Sequence, residues 1–255
     1  MLAMMRAFPL APALALLAAC GPPPVKPPPD AGPDVSCGLD CAAQQRYGLV
    51  VGRCFEYSST QAAANPASLG VKVLPVFTLE GGVDSLPFEY SEGGLVKLTD
   101  YFTLGQGALV LARRTFSPGQ SVTYRDAANA IAGVAWLKAS TGAGENFTTS
   151  TSADVVGSGA RHADDTTYQV TTAAPTVSEQ TMPAGSYPDA FKLLFSETPD
   201  HGRDPRRVFV PGTGFILFST PFNIVGGTAA EYRLQKVRDI VASDAGSVEC
   251  GFGSP

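Results

Sequence analysis

The sequence is poor in the residues from which catalytic centres and membrane spans are usually built. It has two histidines, His162 and His201, one tryptophan, Trp136, and 16% charged residues. No segment is apolar over the ~20 residues that a membrane-crossing helix needs. The longest apolar run, Ala7 to Ala19, falls short and carries Pro9 and Pro12. No stretch holds a 3.6-residue apolar period for long, which argues against a helical bundle. The G-x-S-x-G, H-E-x-x-H, Walker and EF-hand patterns are absent. Positive charge is not in excess either. The net charge of −5 disfavours nucleic acid and anionic lipid surfaces as direct partners.

The N-terminus carries the most specific pattern. Arg6 precedes the apolar run, no acid interrupts it, and Leu17-Ala18-Ala19-Cys20 closes it. This is the layout of an export signal. Leu17-Ala18-Ala19-Cys20 resembles the lipobox of bacterial lipoproteins. The resemblance implies cleavage before Cys20, with Leu17, Ala18 and Ala19 read by the signal peptidase. It also implies a diacylglycerol and further acyl chains on Cys20, and a location at the bacterial outer membrane. Two or more chains anchor stably, at ~0.8 kcal/mol per buried CH2. The alternative is an ordinary secretory signal followed by a chance cysteine. Loss of Arg6 with the signal would move the net charge from −5 to −6.

Gly21 to Ser36 reads GPPPVKPPPDAGPDVS, with seven prolines in sixteen residues and no aromatic. Such a segment builds no core and favours extended polyproline II, so it reads as a tether. The expected organisation is therefore a signal over 1–19, a lipidated cysteine and tether over 20–36, and one folded domain over 37–255.

Four cysteines remain: Cys37, Cys41, Cys54 and Cys250. An even number in an exported chain points to two disulfides, with three possible connectivities. Cys54 with Cys250 is the favoured pair, stapling the C-terminal tail to the first strand, and Cys37 with Cys41 closes a local loop. A metal site at C-x3-C lacks a nearby histidine.

From Tyr47 onward the dominant period is two, in short segments separated by Gly and Pro turns. A short helix is expected over Asp40–Tyr47, capped by Asp40 and ended by Gly48. About a dozen strands follow, GVKVLPVFTL and GGLVKLTDYFTLG among them. The Thr- and Ser-rich ENFTTSTSADVVG and TTYQVTTAAPTV also alternate. The fold class is all-β: one large curved antiparallel sheet, as a half-barrel or open barrel, with a β-sandwich as the alternative and few or no long helices. Phe55, Tyr57, Phe88, Tyr90, Tyr101, Phe191, Phe195 and Phe209 are expected mostly in the core.

TMPAGSYPDAFKLLFSE followed by RRVFVPGTGFILFST, with DYFTLGQGALVLARR and GVAWL before them, resembles uncharacterised lipoproteins of myxobacteria. These carry a PAGx[FY]…GxGxV β-domain. The shared motifs are turns: Pro183-Ala184-Gly185, and Pro211-Gly212 with Gly214. They supply no nucleophile or ligand, so the resemblance implies no catalytic residue.

His162 in RHADD and His201 in PDHGRDPRR each lie near carboxylates. Gly, Pro, Asp and Arg surround both, so they read as polar loops, with Asp164-Asp165 on an exposed turn. Arg113 and Arg114 are adjacent on a strand and must point to opposite faces. The sequence thus points to a lipid-anchored, non-enzymatic envelope protein without metal or catalytic residues. Its partners are the membrane, through the anchor, and an unidentified protein or hydrophobic ligand. The alternatives are a carrier or receptor holding a hydrophobic ligand in a concave sheet, and a hydrolase with an unrecognised site that would include His162 or His201.

Overall fold

The computed structural model describes residues 39–59, 68–92, 94–157, 160–201, 205–219, 231–239 and 250. They belong to one compact unit, 36–255. Cys20, its flanking Leu17, Ala18 and Ala19, the tether and Cys37 lie outside them.

Helix α1 (Cys41–Tyr47) opens the described chain. The Asp40 carboxylate accepts from Ala43 N at its start, and Gly48 ends it in the left-handed region at φ 68°. A side chain at Gly48 would meet the backbone of Thr213 at 2.3 Å. The absence of a Cβ therefore lets the helix end seat directly on a hairpin turn. The next strands are β1 (Arg53–Ser59), β2 (Ser68–Val73), β3 (Phe77–Leu79), β4 (Val83–Glu92), β5 (Leu95–Gly105), β6 (Ala108–Phe116) and β7 (Gln120–Arg125). Then come β8 (Val134–Leu137), β9 (Asn146–Val156) and β10 (Arg161–Ala173). One helical turn, α2 (Val177–Gln180), precedes the small hairpin β11 (Thr181–Met182) and β12 (Gly185–Ser186). The chain ends in β13 (Phe191–Thr198), β14 (Arg206–Val210), β15 (Gly214–Ser219) and β16 (Glu231–Asp239).

The fold is all-β and antiparallel, but the sheet is not open. β2 pairs with β1 on one side and β4 on the other. The order β1-β16-β15-β14-β13-β10-β9-β7-β6-β5-β4-β2 thereby returns on itself as a twelve-strand barrel. β3 extends the wall at β4, and β8 pairs with β6. Closure replaces the half-barrel expectation and has a physical basis: it pairs the backbone groups that two free edges would expose.

Two prolines mark the seam. GVKVLPVFTL reads as one strand, yet the structure breaks it at Pro75 into β2 and β3. Pro87 lies opposite that gap, and its carbonyl accepts from Leu74 N at 2.9 Å. In a strand the N and C=O of one residue share a side, so the missing N–H of Pro87 faces the break and costs the ladder little.

The interior is filled from wall to wall. Phe88 on β4 meets Phe215 on β15 with ring centroids 6.2 Å apart, and Trp136 on β8 meets Phe195 on β13 at 4.7 Å. Phe55, Tyr57, Phe102 and Phe218 complete a continuous aromatic core of mostly edge-on contacts. Tyr101 departs from the core expectation: it points outward and packs on Phe77. The outer wall carries cross-strand ion pairs, among them Lys72–Glu89 at 2.9 Å and Arg53–Asp239 at 2.6 Å.

Cys54 and Cys250 form a disulfide, Cα to Cα 5.8 Å, which ties β1 to the C-terminal tail. Cys41 in α1 is also disulfide-bonded.

Candidate functional site

Strand phase places several charged residues on the inner face. On β5, Asp100 alternates with Leu98 and Phe102; on β6, Arg114 falls in phase with Phe116; on β14, Arg207 falls in phase with Phe209. Asp100 and Arg114 are register partners. All three side chains are at most 2% exposed. Asp100 accepts from Arg114 Nε at 2.6 Å, Arg114 Nη2 at 2.9 Å and Arg207 Nη2 at 3.1 Å. Tyr90 donates to it at 3.2 Å and accepts from Arg207 Nη1 at 2.5 Å. The Arg207 guanidinium lies over the rings of Trp136 at 4.6 Å and Phe215 at 4.9 Å. An ion this deep is tolerated only when paired and hydrogen-bonded, and the ring faces add cation–π stabilisation.

A second polar cluster lies at the barrel end formed by the β6–β7 turn and the close of β13. α1 lies at the other end, where Gly212 N donates to Arg46 O at 2.8 Å. Glu197 on β13 is in phase with Leu193 and Phe195 and is buried. It accepts from Tyr124 OH at 2.9 Å and from the backbone N of His201 at 3.1 Å. His201 then bridges two carboxylates, with Nδ1 3.0 Å from Glu197 Oε1 and Nε2 3.0 Å from Asp164 Oδ2. His162 Nε2 approaches the same Asp164 oxygen at 3.2 Å.

The loop reading of these residues is thus corrected. His162, Asp164 and Asp165 lie on β10, not on turns. Asp164 points toward His201, and Asp165 to the outer face. The two histidine segments, distant in sequence, meet at Asp164 because β10 and β13 are neighbours in the ring.

The electrostatics follow from this geometry. Burial opposes a charge on His201, but hydrogen bonds to Asp164 and Glu197 outweigh it and raise the imidazole pKa. Each ring nitrogen faces a carboxylate, so the imidazolium, which donates from both, is the form that satisfies the site. The hydrogen bond from His201 lowers the Asp164 pKa. Burial, then the nearby Glu197 charge, raises Tyr124 well above a free phenol.

As the imidazolium, His201 has no lone pair for a metal and none with which to accept a proton from a nucleophile. Among the described residues no group of three or more His, Cys, Asp or Glu side chains is arranged to hold a metal ion. Beside the cluster, on the outer wall, an open polar cleft of about 310 Å³ is lined by Arg125, Asn129, Ser152, Asp154, Arg161 and His162. Asp154 pairs with both arginines there, at 3.2 Å to Arg125 and 2.7 Å to Arg161, and Arg125 also pairs with Glu80.

Sequence reasoning missed Glu197, Tyr124, Asp100 and the inward aim of Arg114 and Arg207. The signal was present: each sits in phase with apolar neighbours on its strand. No protein family, no curated protein and no solved structure matches this chain.

Proposed function

We propose that this protein is a lipid-anchored module of the bacterial outer membrane that binds or supports a partner through the outside of its barrel, without catalysis. The observation that carries this reading is the filled interior. Aromatic side chains from far sides of the ring touch, so a ligand held inside would have to displace core. This weighs against a carrier with a ligand in its concave face. The engaged nitrogens of His201 weigh against hydrolysis at the one histidine cluster.

The anchor rests on Leu17-Ala18-Ala19-Cys20 and the proline tether behind it. Charge on the outer wall fits a barrel held beside a membrane by acyl chains, not inserted in it. The test is metabolic labelling with palmitate in a bacterial host. The wild-type chain should take up label and fractionate with outer membranes. Cys20→Ala should take up none and remain as precursor. Equal labelling of the two would overturn the anchor.

A further inference from the structure

One arginine on the outer wall has a buried N–H without an acceptor. Arg114 faces inward and is paired with Asp100. Its neighbour Arg113 faces outward, in register between Tyr101 on β5 and Thr123 on β7, neither of them acidic. Arg113 Nε is buried and donates no hydrogen bond. Among the described residues Arg113 forms no ion pair. A desolvated guanidinium N–H without an acceptor is costly, and native proteins keep few of them.

The space around it is part apolar and part polar, with Thr115, Ser117 and Gln120 in its lining. Arg113 lines an open cleft of about 350 Å³ with Val96, Phe116, Ser121 and Val156. Arg113 is the only charged residue in its lining. Val96, near the start of β5, is 40% exposed, one of the five large apolar side chains left exposed among the described residues. A cation with an unsatisfied N–H beside Val96, Phe116 and Val156 is complementary to an anion with an apolar body. Guanidinium geometry suits a carboxylate held by two parallel hydrogen bonds. The volume is at the small end for ligand sites, which favours one chain over two.

We infer that this cleft binds a single-chain amphipathic carboxylate of the fatty-acid type. Its head sits on Arg113 and its chain runs along Val96, Phe116 and Val156. The inference deepens the binding-module reading and is independent of the lipid anchor, which palmitate labelling tests separately.

The experiment uses the full chain purified in a neutral maltoside detergent. It is irradiated with a fatty acid carrying a diazirine in its chain, and in parallel with the matching fatty alcohol. Adducts are mapped by peptide mass spectrometry. Acid-dependent adducts should concentrate on the peptides holding Val96, Phe116 and Val156. They should fall about tenfold in Arg113→Gln, the loss expected for a charge-assisted hydrogen bond. Arg113→Lys, which keeps the charge, should retain most of them, and the alcohol should label wild type and Arg113→Gln alike. A matching phospholipid probe that labels the cleft better than the acid would overturn the carboxylate assignment. Equal acid labelling of wild type and Arg113→Gln, or adducts elsewhere, would overturn the site. Thermal melting of each variant reports whether a loss of labelling is a loss of fold.

Discussion

Two clusters in this barrel use the same device at different depths. In the core, Asp100 joins Arg114 and Arg207, all at most 2% exposed. At the barrel end, Glu197 and Asp164 hold His201, and Asp164 is 35% exposed. The core sets one carboxylate between two guanidinium groups, and the barrel end sets one imidazole between two carboxylates. The difference that pH can reach is the cation. Guanidinium cannot lose its proton in the accessible pH range, so the cations of the inner cluster stay charged. Imidazole can, so the outer one is conditional. A cluster near water that holds an imidazole can exist in two protonation states.

The comparison breaks most sharply at Asp100. Asp100→Ala would leave two guanidinium groups in an aromatic interior, and the expected loss is about 3–5 kcal/mol. Urea unfolding at neutral pH measures it; a loss below ~1 kcal/mol would show that Asp100 does not hold the two arginines.

Reduction of Cys54–Cys250 should cost about 2–4 kcal/mol, since the bridge restrains the unfolded chain. It touches neither cluster. The pH dependence of stability should therefore stay the same with and without reductant, and a changed slope would couple the tail to the barrel end.

Tyr124→Phe removes one hydrogen bond to a buried carboxylate and should cost roughly 1.5–3 kcal/mol. Asp100→Ala and Tyr124→Phe act on different clusters, so their effects should add. Marked non-additivity in the double variant would mean that the two clusters work as one network.

The smallest effect is the titration. The His201 pKa is raised in the folded state, so its stabilisation is fully present below the unfolded value of ~6.5 and is lost as pH rises through the folded value. The Asp164 pKa is lowered, so its share is lost as pH falls through that lowered value. The bridge is whole between the two. His201→Gln should flatten the alkaline side of this profile and leave the Asp100 cluster untouched. An unchanged profile would place the titrating group elsewhere.

Much of this was legible along the chain. The helix over Cys41–Tyr47 with its Asp40 and Gly48 caps and the strands of FKLLFSET and GFILFS follow local rules. Alternation alone put Arg113 and Arg114 on opposite faces. It also put Glu197 in phase with Phe195, although that phase was not read as burial. The break of β2 from β3 could not be read, because Pro75 fits an edge strand as well as an interruption.

The sequence by itself determined what local physics controls: strand period, turn positions, helix caps and which side chains share a face. Only the tertiary structure decided the rest. Closure depends on β2 meeting β4, and the histidine cluster depends on β10 lying beside β13. Those pairings join segments far apart in the chain. Their energy comes from ladder completion and from a common core, terms that no short window of sequence contains.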